Sequence, residues 1–361
     1  MKTQNNKTVL LGLSGGVDSS VSALLLKKQG CKVIAAFMKN FSDTKSPISG
    51  ECNYLEDKRM AQKMAAHLNI PLIIIDSEKE YKSQVIRPMY KSYSKGLTPN
   101  PDILCNKIIK FPILWQYAKK INANYIATGH YARIKKTSKG YQLLQGKDKI
   151  KDQSYFLSEL SQTDLSHTIF PVGNLTKSQV REIAKKNKFP NWNKKGTSGI
   201  CFVGKINMKT FLEKKLSNKQ GKIINPKGNQ IGIHQGMQYY TIGQRIGPRL
   251  GIQLNKKAEN KKLYVAEKKG NTLIAVPENH LLLKKQIVKI KNLHLINPKE
   301  KIPINLKARI RHLGEPHKGK LIKKSNHYYF KFSKPITAVA EGQYIVIYNK
   351  KEVIVSGEIR L

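Results

Sequence analysis

Nine residues near the start of the chain, GLSGGVDSS from Gly12 to Ser20, sit between two apolar runs and carry the groups of an anion site. Gly15 and Gly16 let the backbone approach a phosphate closely, and successive N–H groups in such a turn form a nest for an anion. The helix expected to follow adds the partial positive charge of its N-terminus. Ser14 and Ser19 supply hydroxyl donors, and Asp18 beside a phosphate suits a cation such as Mg²⁺. A Walker loop has a lysine that reaches the terminal phosphates, and this loop has none. Gly12, Gly15 and Gly16 also miss the GxGxxG spacing of dinucleotide sites. A tight strand-to-helix turn with no ligand is the plainer alternative.

Two cysteines come next. Cys105 lies in GLTPNPDILCNKIIKF (96–111), where Pro99 and Pro101 stiffen a turn. The segment predicts Cys105 at the start of a helix, near Lys107 and Lys110, a setting that lowers a thiol pKa and makes a nucleophile. Asp102, three residues earlier, is placed to move a proton in the same site. Cys201 lies in GTSGICFVG (196–204), between Gly199 and Gly204. Cys31 and Cys52 have no activating neighbours, and no pair among the four forms a CxxC.

The elements around these residues alternate. TVLLGLS (8–14), KVIAAFM (32–38), PLIIID (71–76) and ANYIATGH (123–130) read as strands. Residues 17–30, 54–69, 81–96 and 105–121 read as helices, the third helical on either side of Pro88 and the fourth kinked at Pro112. The alternation predicts a doubly wound parallel sheet covered on both faces, with ligands at the carboxyl ends of its strands. GLSGG and ATGH both lie at such ends. After about residue 205 the pattern becomes short strands divided by Gly, Asn and Pro, which predicts a small β-rich central domain and a C-terminal β-barrel. The boundaries expected are 1–205, 206–281 and 282–361.

The formal charge is +43, which points to a polyanionic partner. The charge is nearly even along the chain, net +20 over residues 1–205 and +23 over 206–361, and mostly lysine. Coding bias laid over real binding accounts for that spread, so most single lysines read as solvated surface. No apolar run approaches the roughly 18 residues that span a bilayer. Only seven residues precede the first strand, so no targeting segment is expected and the cytoplasm is the default.

SGGVDSS, GLTPNPDILCN, IKF, TGHYAR, KDQSYFL, SGICFVG and YYTIGQR follow one another in this order. The loop resembles that of ATP pyrophosphatases, and the ordered set resembles the tRNA-specific 2-thiouridylase family. That resemblance implies an adenine-nucleotide alpha-hydrolase-like catalytic domain. It implies an enzyme that uses ATP and Mg²⁺ to adenylate the C2 oxygen of uridine 34 in the tRNAs for Lys, Glu and Gln. Sulfur would come from a persulfide on Cys201, loaded by a relay protein or a cysteine desulfurase. Cys105 would release it, leaving a transient Cys105–Cys201 disulfide, with Asp102 as acid or base.

By motif, Gly12, Leu13, Ser14, Gly15, Gly16, Val17, Asp18 and Ser19 would hold ATP, with Met38 and Gly129 near its adenine or ribose, and Asp18 would hold the metal. Asn100, Pro101 and Asp102 would face the target base. His130, Lys151, Asp152, Gln153, Arg311, His312 and Gln343 would touch tRNA. His312 stands where the family usually has Tyr. Gly196, Ser198 and Lys205 also depart from the family pattern, around Cys201. The rivals are another ATP pyrophosphatase, such as an amide synthetase or a 2-thiocytidine thiolase, and a non-catalytic tRNA-binding homologue with a degraded sulfur-transfer loop.

Overall fold

A computed structural model of the chain describes residues 6–42, 53–194, 203, 207–299 and 302–361. Cys52, Gly196, Ser198, Cys201 and Lys205 lie outside the described residues.

The first sheet is parallel. It contains β1 (Thr8–Gly12), β2 (Lys32–Lys39), β3 (Leu72–Asp76), β4 (Tyr125–Ala127) and the short β7 (Thr168–Ile169), in the order β3-β2-β1-β4-β7. Neighbours on one strand bury on opposite faces, as the period of two requires. Leu10 packs with Ala36, Ile75 and the residues 81–93 and 103–118 on one side. Val9 and Leu11 pack with α1 (Val17–Lys28), α2 (Asn53–His67) and the helix Lys177–Lys186 on the other. Helices therefore cover both faces, and the loops at the carboxyl ends of β1 and β4 come together.

Two prolines lie within continuous helical runs, and the chain is helical on either side of Pro88 as expected. Pro88 is the second residue of the helix Arg87–Ser94, and Pro112 the second of Phe111–Lys120. Each follows one widened turn, Lys82–Ile86 and Asn106–Lys110. The wider turn absorbs the missing N–H and the ring's clash with the preceding carbonyl, so the helical path continues.

The central sheet runs β10-β9-β8-β12-β11, from β8 (Gly221–Ile224), β9 (Gln230–His234), β10 (Gln253–Leu254), β11 (Leu263–Lys269) and β12 (Thr272–Pro277). Its core holds Tyr240, Val265 and Leu273. The last six strands are β13 (Lys285–Leu295), β14 (Leu306–Arg309), β15 (His317–Lys324), β16 (His327–Ile336), β17 (Tyr344–Asn349) and β18 (Glu352–Arg360). They are antiparallel and close on themselves, because β13 pairs with both β16 and β18. Closure removes the exposed edges that an open sheet would leave.

One hairpin crosses the expected boundary. β5 (Ala132–Thr137) and β6 (Gly140–Gln145) leave the first region, and β6 pairs with β18 through Leu143 and Val353. The segment after this hairpin then seats the barrel. Asp152, 1% exposed, accepts from the N–H groups of Gly146 and Ser154, both at 3.1 Å, and from Gln145 Nε2 at 3.2 Å. Arg309 of the barrel completes the set at 2.7 Å. Glu159, also buried, accepts from Lys107 Nζ at 2.7 Å and from the Ser356 hydroxyl. The His312 ring lies 4.1 Å from that of Phe156. No helix among the described residues is long and apolar enough to cross a membrane.

Arg309→Met would leave a buried carboxylate without its cation, a change that costs on the order of 3 kcal/mol. The expected result is a lower urea midpoint for the barrel, read by tyrosine fluorescence. The junction also carries a pH dependence. Burial pushes the His312 imidazole down from 6.5 to about 4, against the pull of Asp152 and with help from Arg309 and Lys151. Between those values the unfolded chain binds the proton and the folded one does not, so stability falls as pH drops from about 6.5 to about 4. Urea midpoints across that window should fall less steeply in His312→Leu than in the parent protein.

Candidate active site

β1 ends at Gly12, and the chain turns through Leu13–Gly16 into α1, which begins at Val17. Gly15 has φ +74°, and a Cβ there would lie 2.4 Å from the Asp57 carbonyl oxygen, so this place admits only glycine. The loop is braced from within. Ser14 N–H donates to Ser19 Oγ at 3.2 Å, and the Ser19 hydroxyl donates to the Gly16 carbonyl at 3.0 Å. Asn191, almost fully buried, donates to the Gly15 carbonyl at 3.1 Å and to Ser20 Oγ at 2.9 Å. Leu13 and Val17 are buried and anchor the turn from below, while Met38 is buried on β2 in register with Ile75.

The turn after β4 presses on this loop. A Cβ on Gly129 would lie 2.7 Å from Ser19 N and 2.9 Å from Asp18 C, so only glycine permits the approach. His130 follows it, buried, with Nδ1 2.6 Å from Thr128 Oγ1 and Nε2 3.4 Å from Lys110 Nζ. Its ring stacks on Phe111 at 5.9 Å. Burial, and next the Lys110 charge, hold His130 well below the usual imidazole range, so it is neutral at pH 7.

Lys110 and Phe111 belong to the same helical run as Asp102 and Cys105, and here one expectation is corrected. Cys105 is not at a helix N-terminus. Pro101 opens the helix Pro101–Cys105, and the Asn100 side chain caps it by accepting from Ile103 N–H at 3.2 Å. A proline at the first position needs no N–H partner, so the helix starts four residues before the cysteine. Asp102 lies in the first turn, and Cys105 is the last residue and fully buried.

The cap is itself held from the other domains. Gln343, just before β17, accepts from Asn100 Nδ2 at 3.4 Å and donates to the carbonyls of Thr98 at 3.0 Å and Pro99 at 3.2 Å. Thr98 N–H donates to the Glu341 carbonyl at 2.8 Å, and Thr98 Oγ1 lies 3.3 Å from Thr241 Oγ1 of the central region. Lys268, on β11, donates to the Gly96 carbonyl at 2.8 Å. Burial pushes that amine down to about 8.

The residues expected at a nucleic-acid surface divide. Lys151 and Arg311 are exposed, while Asn100, Pro101, Asp102, Gln153, His312 and Gln343 are partly covered. Asp152 is buried: its carboxylate is enclosed by four donors, which tie this segment to the barrel. Gln153 is tied at both ends to Tyr131, donating from N–H to the carbonyl at 2.9 Å and accepting the Tyr131 N–H at 3.0 Å.

Asp18 has partners that the sequence did not signal. Tyr131 donates its hydroxyl to Oδ1 at 2.6 Å, and Lys177 Nζ reaches Oδ1 at 2.6 Å and Oδ2 at 2.8 Å. Lys177 stands 159 residues away, at the first position of the helix Lys177–Lys186. Among the described residues no group of three His, Cys, Asp or Glu side chains could hold a metal. A lone carboxylate beside a phosphate loop is the donor that a nucleotide-borne Mg²⁺ takes, but both Asp18 oxygens already face an ammonium. The donor type fits such an ion, but its oxygens would be free for one only if Lys177 were displaced.

Comparison with known proteins agrees along the whole chain. Three family models match in series: a tRNA methyl transferase HUP domain over residues 7–205, a tRNA methyl transferase PRC-barrel domain over 209–276 and an aminomethyltransferase beta-barrel domain over 285–359. The tRNA-specific 2-thiouridylase MnmA of Ruthia magnifica is 42% identical over 356 residues, which cover 97% of each chain. That of Coxiella burnetii strain CbuK_Q154 is 40% identical, covering 98% of this chain and 96% of its own. A solved 4-thiouridine synthetase in complex with RNA and ATP is far more distant, with 18% identity and a TM-score of 0.37 over 58% of this chain and 49% of that one. With such identity sustained from the phosphate-type loop through the barrel, the chain belongs to the tRNA-specific 2-thiouridylase family.

Proposed function

We propose that the protein is an ATP-dependent tRNA-uridine 2-sulfurtransferase acting on the wobble position. One observation carries the reading beyond family membership. The Gly129–His130 turn touches the phosphate-type loop on one side and the Lys110–Phe111 end of the Asp102/Cys105 run on the other. A nucleotide on Gly12–Ser19 would therefore lie one turn away from the helical run that carries Asp102 and Cys105, with Asn100–Asp102 about 15 Å further along that run.

The chemistry needs both. The C2 oxygen of uridine is a poor leaving group, and ATP supplies the adenylyl group that makes it a good one; Mg²⁺ would arrive on the nucleotide, with Asp18 as the carboxylate to hold it. Cys201 carries the sulfane sulfur as a persulfide from a relay protein or a desulfurase. The Cys105 thiolate attacks the inner sulfur of that persulfide. A Cys105–Cys201 disulfide forms and hydrosulfide leaves, so the thiol pair is oxidised by two electrons while the sulfur is reduced. Hydrosulfide adds to C2 and AMP departs, giving 2-thiouridine. Asp102 is the group for the proton exchanged in that addition. Lys151 and Arg311 supply backbone-directed charge, and the family's substrates are the isoacceptors for Lys, Glu and Gln. His312 stays neutral at pH 7, so it would meet RNA as a flat ring, not as a cation.

Nucleoside mass spectrometry of tRNA-Lys, treated with protein, ATP, Mg²⁺ and a desulfurase with cysteine, tests the reading. A 2-thiouridine product is expected, lost in both Cys105→Ser and Cys201→Ser, while pyrophosphate release survives in the cysteine variants. Unchanged thiolation in both variants would rule out the cysteine relay, and a protein that binds tRNA without releasing pyrophosphate would favour the non-catalytic homologue. Gln343→Ala removes three hydrogen bonds from the Thr98–Asn100 segment. It should lower kcat about tenfold with KM for tRNA little changed, because one or two neutral hydrogen bonds are worth about that much.

A further inference from the structure

The missing lysine of the loop is present in space. We propose that Lys177 is the phosphate-binding cation of this nucleotide site, parked on Asp18 until a nucleotide draws it away; the inference rests on the ATP-dependent reading above.

The placement of Lys177 is otherwise costly to explain. It is the first residue of a helix, where the helix dipole disfavours a cation. The helix start is already secured without it, because Thr176 and Gln179 form a reciprocal cap and Lys177 N–H donates to Asp148 Oδ2 at 2.8 Å. The ammonium is free of any capping duty and is aimed instead at the opening turn of α1, 85% shielded along its side chain. It lies across both Asp18 oxygens, next to the Tyr131 hydroxyl. Asp18 keeps 30% of its side chain exposed, so the pair is open to solvent beside the loop and not sealed beneath it.

Several groups can attract the charges apart. The loop offers an anion nest with the α1 N-terminus behind it, and a polyphosphate seated there carries more negative charge than one carboxylate. Lys177 can swing to the phosphates while Asp18, still held by Tyr131, turns its freed oxygens to a cation. The salt bridge thus neutralises both groups in the empty enzyme and is exchanged for two ligand contacts in the filled one. Arg181, one turn further along the same face of the helix, adds its charge near Tyr131.

The prediction is a selective loss of affinity for phosphates beyond the first. Lys177→Met should weaken ATP and inorganic pyrophosphate binding about ten- to a hundredfold, as expected for one charged contact, and leave AMP binding within about threefold. Calorimetry with and without Mg²⁺ reads this without tRNA or a sulfur source, so failed thiolation and failed phosphate binding are separate results. Lys177→Met also leaves Asp18 unpaired. The double variant Lys177→Met/Asp18→Asn removes both charges and, if Lys177 only neutralises Asp18, should bind Mg²⁺-free pyrophosphate at least as well as the parent. Pyrophosphate binding that stays weak in the double variant supports the proposal. Parental affinity there, or an equal loss for AMP and ATP, overturns it, and the double variant decides the matter if the single one does not fold.

Discussion

The close approach of two backbones controls this site. The turn at Gly129 lies against Asp18 and Ser19 with no room for a side chain. Two strand ends of a parallel sheet would otherwise be held apart by the side chains of their loops. Glycine at one of them lets the α1 start, the His130 ring and the Lys110–Phe111 turn share one small volume. The relative position of these groups follows from that contact, because the sheet register fixes both strand ends: Leu11 pairs with Ala127.

The second constraint comes from outside the parallel sheet. The segment Gly96–Asn100, which leads into Asp102 and Cys105, forms no strand and no helix of its own. It is fastened by Lys268 and Thr241 from the central sheet and by Glu341 and Gln343 from the barrel. A loop so tied has fewer conformations to sample, and the entropy removed in folding need not be removed again when a substrate binds. The barrel and the central region therefore hold the loop that leads into Asp102 and Cys105. Gln343, whose motif suggests a tRNA contact, shows this: its amide is turned toward three groups of the loop.

Much of this was legible in the sequence. The parallel sheet followed from alternating apolar strands and amphipathic helices, and the phosphate-type loop from glycines and hydroxyls at the junction of one strand and one helix. What escaped was non-local. Nothing near Lys177 in NLTKSQVREI marks it for Asp18, since the pairing exists only once the helix packs beside α1. Asp152 looked like a polar motif residue until the barrel supplied Arg309. Cys105 is the local case: the asparagine cap and the proline that set the helix start at Pro101 are legible in NPDILC, and they place the cysteine four residues inside the helix. The widened turns before Pro88 and Pro112 have no composition signal at all, because the hydrogen bonds that make them depend on the whole helical run.

The charge imbalance gives the acidic residues unusual weight. With 66 basic and 23 acidic side chains, most cations must go without a carboxylate partner. Several of the pairs that do form join distant parts of the chain: Asp18 with Lys177, Asp57 with Lys194, Glu159 with Lys107 and Asp152 with Arg309. Each brings together residues at least 52 positions apart, and in two of them the carboxylate is almost wholly buried. Exposed pairs within one helix, such as Glu182 with Lys186, contribute only a few tenths of a kcal/mol. Buried carboxylates instead select a cation, because leaving them unpaired is costly. In a chain rich in lysine any neighbouring amine could compete for a surface carboxylate, and enclosure is what makes the choice specific. The acids thus specify which segments meet, and most surplus lysines are left outward, where binding a polyanion would release the cations condensed on it. Asp18 is the intermediate case: shielded enough to choose Lys177, yet open enough to give it up.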